Sequence, residues 1–437
     1  MLHKTITFIL LVVFFSCSLS QNNTNNPYSR FGIGELHPSV NSQSLGMGRT
    51  AIALNNPNHI NITNPACLSS LDTLSVLFEF GVQNRISVLK TNDLEQNNNN
   101  INIANLSLGF PVAKFWFTSF NLSPMSSVGY NIQYNDTTSD SLVVQNKYEG
   151  NGGINRFTLS NCIKPFRFIS LGINASYLFG NLSQKNTIDF PEDNYQPTLY
   201  DINKLYISDV KFDFGLNFTH TFTDSVNGKV NKYKIDIGAI YGYQDEINAY
   251  RTNLAYKRYS YNIEDTIQDI EQAKDYFTLP STIGFGAAIT RNNKFTLAVD
   301  YIMQDWSDTR FLGFNDSLAK SSYMLRGLEY TPEEIDFQSP YWKNMSYRIG
   351  GFYGKDYLKL RGNHFANFGI TFGVGFPFRS QMTSFMIKGR PTRSSINIGF
   401  EYGQKGTTDN NLIKEDYFLF HINVTLYDVW FVKRKID

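Results

Sequence analysis

The sequence predicts an all-β fold, a transmembrane antiparallel β-barrel of about 14 strands. Three observations carry this prediction: strict two-residue alternation in many segments, an export signal at the N-terminus and a high aromatic content. There are 36 Phe and 26 Tyr, and charged residues make up only 18% of the chain. A barrel with an apolar outer band and aromatic girdles has this composition. The clearest alternation lies between residues 210 and 219, with apolar side chains at Val210, Phe212, Phe214, Leu216 and Phe218.

Residues 1–20 are predicted to be a cleaved secretory signal peptide. Lys4 precedes an apolar stretch at residues 6–15, and small residues follow up to Ser20. The apolar stretch is shorter than the roughly 18 residues that a membrane-spanning helix needs. An alternative is lipidation at Cys17, for which the bulky aromatic residues just before it are poorly suited. Export of a barrel predicts the outer membrane of a Gram-negative bacterium as its location.

Residues 21–72 differ in kind from the rest of the chain. They are rich in Asn, Ser, Pro and Gly and lack sustained alternation. Such a composition is typical of a compact element without strands. The predicted second unit is the barrel, residues 73–437.

The barrel segments begin at Leu74, and about fourteen or fifteen alternating segments can be counted. Because single-chain bacterial barrels have an even number of strands, fourteen is predicted. Polar stretches predict long loops at residues 97–100, 184–204, 262–275 and 307–341, and tight turns at 292–293 and 355–356. Tryptophans at segment ends predict contact with the membrane interface, at Trp306, Trp342 and Trp430.

The main structural alternative is an exported soluble β-sandwich or β-propeller, whose strands also alternate. Exposed faces of soluble strands usually carry charge, whereas the polar faces here are mostly Gly, Ser, Asn and Thr. A propeller would also repeat a blade signature, and the sequence shows no such period. Both points favour the barrel.

Composition and motifs argue against nucleic acid, metal and cofactor binding. The net charge is +1, so no basic surface for nucleic acid is predicted. Gly46, Gly48 and Ala51 match a dinucleotide-binding pattern, but no βαβ unit surrounds them. The six histidines show no metal-ligand spacing. Cys67 and Cys162 are predicted to be separate buried thiols.

No catalytic residues are predicted. A hydrolase with Ser, His and Asp drawn from separate strands remains an alternative, with His421 and Asp300 as its candidates. Single polar residues in a barrel lumen more often belong to the wall than to a catalytic site. The protein is therefore predicted not to be an enzyme.

Two short motifs in the first unit resemble a known family. Gly46, Gly48 and Arg49, followed by Asn64-Pro65-Ala66, resemble the N-terminal hatch of the FadL-type outer-membrane channels for long-chain fatty acids and hydrocarbons. Later segments resemble the middle strands and a later hairpin of that family, at Leu279-Pro280, Gly284, Leu297, Asp300, Tyr301, Trp306, Ser307, residues 347–350 and residues 360–362. The resemblance runs through most of the mature chain, and its hatch motifs are the more specific part.

The resemblance implies a fourteen-stranded barrel with residues 21–72 as a hatch in its lumen. In that family hydrophobic molecules leave through a lateral opening where the third strand kinks inward. The candidate kink here comprises Pro124, Met125, Ser126 and Gly129. Proline donates no ladder hydrogen bond, so Pro124 also predicts a local break or bulge on its own. An ordinary strand end with a loop is the equal alternative.

Two functions follow from this interpretation. The first is passive uptake of a hydrophobic small molecule by a monomer in the outer-membrane bilayer, with Phe, Leu and Met side chains lining a dry pocket. The alternative is a FadL-like barrel that serves as a protein-binding platform in a bacterial secretion system. One departure from the family is the C-terminus, where residues 432–437 follow the aromatic pair Trp430-Phe431.

Overall fold

The computed structural model describes residues 24–137, 142–193, 195–226, 229–261, 263–309, 318–333, 339–378 and 393–429. The predicted signal peptide, including Cys17, lies outside this set, as do Trp430 and the residues after it. Within the described part of the chain, no helix is long and apolar enough to cross a membrane.

Strands make up nearly all of the described structure. Helical elements are the α-helix α1 at Ser42–Gly46 and 3-10 helices at Pro27–Arg30, Pro65–Ser70, Tyr341–Lys343 and Asp409–Asn411. The strands are β1 (Glu35–Leu36), β2 (Ser75–Lys90), β3 (Glu95–Ala113), β4 (Trp116–Thr137), β5 (Val143–Phe166), β6 (Ile169–Asp189), β7 (Thr198–Val226), β8 (Lys229–Gly242), β9 (Asp245–Arg258), β10 (Glu264–Leu279), β11 (Thr282–Arg291), β12 (Phe295–Asp305), β13 (Lys320–Tyr330), β14 (Ser346–Leu360), β15 (Asn363–Pro377), β16 (Ser395–Gly406) and β17 (Lys414–Val429).

Strands β2 to β17 close into a barrel with fourteen wall strands. The two halves of β7 pair with β8 and with β9, so β8 and β9 form one interrupted wall strand. Strand β10 pairs with β9 and strand β11 pairs with β8, so β10 and β11 likewise form one interrupted wall strand. The ladder between β17 and β2 closes the barrel, from Val429 opposite Ser75 to Lys414 opposite Lys90. The predicted all-β antiparallel barrel of fourteen strands is confirmed.

Between residues 210 and 217 of β7, the wall separates an apolar outer face from a polar inner face. On β7 the outward side chains Val210, Phe212 and Phe214 are 42%, 39% and 45% exposed, whereas the inward residues Gly215 and Asn217 are buried. Exposed aromatic and aliphatic residues also recur at alternate positions along other strands of the barrel. A band of this kind matches the lipid-facing surface of a transmembrane barrel.

The barrel is taller on one side. We call the end where β2 begins the near end and the end where β2 finishes the far end. Strands β5 and β7 have 24 and 29 residues, whereas β12 and β13 have 11 each. Because a transmembrane β-strand needs about 9–11 residues, the taller side extends well beyond the membrane.

This extension explains why several loop predictions are wrong. Residues 97–100 lie within β3, residues 262–275 lie mostly in β10, and residues 184–204 are largely the ends of β6 and β7. Residues 355–356 lie inside β14, and β13 occupies part of 307–341. Beyond the membrane both faces of a strand meet water or a polar lumen. In these extensions a strand has the same polar composition as a loop, so composition does not distinguish the two.

Candidate functional site

The N-terminal segment, residues 24–72, contacts the inner wall at both ends of the barrel. At the far end the Tyr28 and Phe365 rings lie edge to face with centroids 4.7 Å apart. At the near end the Ser69 hydroxyl donates a hydrogen bond to Ser170 Oγ at 3.1 Å. Its boundaries and its role as a hatch remain predictions.

An apolar cluster lies in the far half of the lumen around Tyr28 and Ile33. Its buried members are Tyr28, Ile33, Val128, Tyr130, Ile154, Leu178, Leu182, Leu205, Ile207, Ile247, Ala249, Phe277, Leu279, Trp306, Tyr357, Leu358, Phe365 and Leu412. Trp306 is 3% exposed and stacks near Tyr357, with ring centroids 4.8 Å apart. The prediction that Trp306 meets the membrane interface is therefore wrong, because its indole turns into the lumen.

The glycine motif packs directly against the backbone of the wall. The Gly48 amide donates to Thr371 Oγ1 at 2.8 Å, and the Thr371 hydroxyl donates to the Gly46 carbonyl at 3.1 Å. Arg49 forms an ion pair with buried Glu401. The Arg49 guanidinium also lies over the Phe352 ring, 4.2 Å from its centroid.

The second motif, Asn64-Pro65-Ala66, caps a 3-10 helix and ties it to the wall. The Asn64 side-chain oxygen accepts a hydrogen bond from the Ala66 amide at 3.1 Å. Its amide group donates to the carbonyls of Ile52, within the segment, and Leu216, on β7, at 2.7 and 3.1 Å. One side chain therefore fixes both the helix start and its contact with the barrel.

Buried charges join the segment to the wall in the far half of the lumen. The Arg85 guanidinium binds Glu35 at 3.0 Å and Glu415 at 2.9 Å. The Asn26 amide group donates to the second oxygen of Glu415 at 2.9 Å. Sequence analysis missed this set, although charged residues at inward positions of otherwise Ser-, Asn- and Gly-rich strand faces were a usable signal.

The electrostatics of the segment follow from this arrangement. Burial alone would raise the pKa of Glu35, but the positive charges of Arg85 and Lys405 outweigh it and lower the pKa to about 2. Burial lowers the pKa of His37. Because the pKa of Glu35 is lower in the folded protein, its stabilising contribution is complete at neutral pH and is lost as the pH falls toward 2.

The two residues considered for catalysis have structural hydrogen bonds to the segment. The Asp300 Oδ2 atom accepts hydrogen bonds from the backbone amides of Ala51 and Ile52, with N···O distances of 2.6 and 2.8 Å. The His421 Nδ1 atom forms a hydrogen bond with the Ser42 hydroxyl. Both side chains thus hold the segment to β12 and β17. Across the described part of the chain, no group of three or more His, Cys, Asp or Glu residues is placed to hold a metal ion.

The predicted buried thiols are confirmed. Cys67 and Cys162 are free and buried, and they donate to the carbonyls of Ile52 and Ala66 at 3.6 and 3.3 Å. Burial raises the pKa of the Cys67 thiol well above its usual value.

The wall is irregular at the third wall strand, β4. In the described structure its pairing with β3 stops at Leu122 opposite Leu106. Its pairing with β5 has a register shift between Pro124 and Ser126. Beyond the shift, β4 pairs instead with β1 of the N-terminal segment, where Leu36 lies opposite Ser126.

The remaining candidate kink residues also meet the segment. The His37 amide donates to the Met125 carbonyl at 2.9 Å. At Gly129 an added Cβ would lie 1.8 Å from the Thr24 carbonyl oxygen, so only glycine lets the two backbones approach this closely. The structure therefore places Met125, Ser126 and Gly129 against the N-terminal segment, while Pro124 lines a cavity beside it. A transport role for them remains a prediction.

A cavity of about 360 Å³ lies between the segment and the wall. Its lining mixes apolar side chains such as Leu36 and Met125 with the charged side chains of Arg85, Arg156 and Lys211. This differs from the Phe-, Leu- and Met-lined pocket expected from the sequence. The reason is that many Phe residues of the alternating strands face outward, while several inward positions around the cavity carry charged or polar residues.

Comparison of the whole sequence with protein families identifies this chain's relatives. A sequence model of the BamG family matches residues 1–437, the full length of the chain. The chain belongs to the BamG family. A search among curated proteins gave no match for this BamG family member.

Solved barrels share its fold. A FadL homologue from Pseudomonas aeruginosa aligns with a TM-score of 0.55 at 12% identity, covering 91% of this chain and 100% of that one. The toluene transporter TodX of Pseudomonas putida gives 0.54 at 14% identity, with coverages of 94% and 100%. The toluene transporter TbuX of Ralstonia pickettii gives 0.54 at 13% identity, with coverages of 91% and 99%. The FadL-type resemblance is thus confirmed for the fold, which is that of Gram-negative outer-membrane channels, while the family is BamG.

Proposed function

We propose that this protein has a Bam-related role in the outer membrane, in which the plugged barrel works with a protein partner. Support comes from the match of the entire chain to the BamG family. The observation that carries the proposal is the N-terminal segment, which is fixed to both ends of the lumen by packing and by buried ion pairs. A barrel filled in this way offers its outer surfaces to a partner.

The lumen is a poor conduit for a hydrophobic solute. Moving such a solute past water or charge costs about 25 cal/mol for each Å² of exposed apolar surface. The cavity here is lined in part by Arg85, Arg156 and Lys211. Clearing a wider path would separate Arg85 from Glu35, and separating a buried ion pair is strongly unfavourable.

Purification of the full-length chain from native outer membranes tests the proposal. With an affinity tag at the C-terminus and mild detergent, we expect a partner protein to elute at a fixed stoichiometry. The control is an equally tagged FadL-type channel expressed in the same strain, which should elute without that partner. A monodisperse monomer that carries only lipid would contradict the proposal.

A second candidate function is passage of a hydrophobic molecule through the wall. It is favoured by the interrupted ladder between β3 and β4 and by Met125, which lines the adjoining cavity. Deletion of Met125 removes the extra residue between Pro124 and Ser126 and is expected to regularise the pairing of β4 with β5.

If the protein is a channel, that deletion should reduce uptake of a radiolabelled fatty acid or toluene to the level of a strain without the protein. The matched control Met125→Leu keeps the bulge and an apolar side chain and should keep uptake. Uptake that is equal in the wild type, the deletion and the strain without the protein would exclude the channel function.

A further inference from the structure

Arg326 is a charged side chain on the lipid-facing side of the barrel. It is exposed, and its neighbours at i−2 and i+2 on β13, Met324 and Leu328, are apolar and face the same way. Across the ladders it lies opposite Val299 on β12 and Gly351 on β14. The four outward residues nearest to Arg326 on its own and the neighbouring strands are therefore all apolar.

The apolar surroundings extend in both directions along the wall. Among the described outward residues of β12, Val299 lies between Leu297 and Tyr301, with Phe295 and Met303 beyond them. Four residues of strand span roughly 13 Å, and the tilt of barrel strands reduces this to about 10 Å across the membrane. Arg326 thus lies about that far from either edge of the band.

No charge on the described barrel neutralises Arg326. Two arginines inside the lumen, by contrast, have carboxylate partners, Glu401 for Arg49 and Glu329 for Arg348. Within the described residues, no carboxylate lies within ion-pair distance of the Arg326 guanidinium. An arginine on the lipid face near the membrane centre is costly, so its presence calls for a partner from outside the chain.

An apolar groove of about 810 Å³ adjoins this arginine. The groove opens on the outer face at Gly351, which has no side chain to fill it. Gly351 lies opposite Arg326 on β13 and opposite Ile370 on β15. The lining of the groove includes the outward side chains of Met324, Tyr353, Phe368, Ile370 and Tyr402 and the buried Phe352. Such a surface could bind a partner that carries an apolar side chain next to a negatively charged group.

We propose that the outer face of β13–β16 binds a membrane-embedded segment of a partner protein, which places a carboxylate against Arg326 and an apolar side chain over Gly351. A protein segment is favoured over a lipid headgroup because phosphates lie at the edge of the apolar band, about 10 Å from Arg326. The inference rests on the proposed function for the existence of a protein partner and names where that partner binds.

A photo-crosslinking residue at Met324 in the full-length chain, activated in native outer membranes, tests this surface. We expect a discrete crosslinked protein from the Met324 position and none from the control position Phe214, on the lipid face of β7. Arg326→Leu should abolish the crosslink, whereas Arg326→Lys, which keeps the charge, should retain it at least in part. Crosslinks to lipid alone would overturn the inference.

Variants of this kind also show whether loss of the crosslink reflects misfolding or a general loss of surface charge instead of loss of the contact with Arg326. Because Arg326→Leu removes a charge from lipid, its thermal midpoint in detergent should be equal to or above that of the wild type. Arg291→Leu, an outward arginine on β11 away from the groove, should leave the crosslink intact. If the partner co-purifies with Arg326→Leu as with the wild type, the surface is wrong and the proposed function stands. If no partner co-purifies with the wild type, both this inference and the proposed function are wrong.

Discussion

Replacing Arg85 with Met is expected to release the N-terminal segment from the lumen. The guanidinium holds Glu35 of the segment and Glu415 of the wall at 3.0 and 2.9 Å and lies 3.9 Å from the centroid of the Tyr417 ring. Without it, two buried carboxylates face each other unpaired. Breaking one side of a buried ion pair costs about 3–5 kcal/mol. The thermal midpoint in detergent and protease cleavage within residues 24–72 measure the effect.

Two variants define what this result means. In the triple variant Arg85→Met, Glu35→Gln, Glu415→Gln no uncompensated charge remains, so we expect much of the lost stability to return. Lys90→Met is the matched control on the same strand, since Lys90 pairs with Glu95 at the exposed far end. Exposed pairs contribute about 0–1 kcal/mol, so this control should be close to the wild type. Equal losses in both single variants would contradict the role given to Arg85.

Substituting Gly48 with Ala should displace the glycine motif from the wall. Gly48 has a φ of 66°, and an added Cβ would lie 2.2 Å from the Arg326 carbonyl oxygen and 2.6 Å from the Gly351 amide nitrogen. The left-handed backbone alone costs about 1 kcal/mol for a residue with a side chain. Overlap with two wall strands adds about 1–3 kcal/mol, because backbone atoms cannot rotate away. Hydrogen exchange of residues 42–52 measures the displacement.

Gly362→Ala is the control for backbone strain. Gly362 also has a positive φ, 81°, but an added Cβ there meets nothing within 4 Å. This variant should lose only the backbone contribution of about 1 kcal/mol and leave exchange in the N-terminal segment unchanged. If both glycine variants behave alike, close contact between Gly48 and the wall is not what fixes the segment.

The barrel itself was predictable because its signal is local. Alternation from Val210 to Thr219 assigns each side chain to lipid or lumen, and β7 has that arrangement. The two interrupted wall strands were harder to recognise. Both breaks fall at the same level, at residues 243–244 and 280–281, and only the pairing of β7 with β8 and β9 shows that each is one strand.

The candidate site was predictable only in part. The residues of the two hatch motifs were found by resemblance, and each contacts the wall. Their partners were not found, because the contacts of Arg49 with Glu401 and of Glu35 with Arg85 join residues far apart in the sequence. A single sequence holds no record of which distant residues pair. The apolar groove beside Arg326 was missed for the same reason, since it forms only when β13–β16 lie side by side.

The contacts of the N-terminal segment also constrain the order of assembly. Asn26 and its partner Glu415 are 389 residues apart, and the segment lies inside a cylinder whose seam joins the first wall strand to the last. The N-terminal segment therefore cannot complete its contacts until β17 is in place. If the seam closed first, the segment would have to enter the lumen through one end of the barrel. The last strand, β17, thus completes the surface on which the N-terminal segment packs.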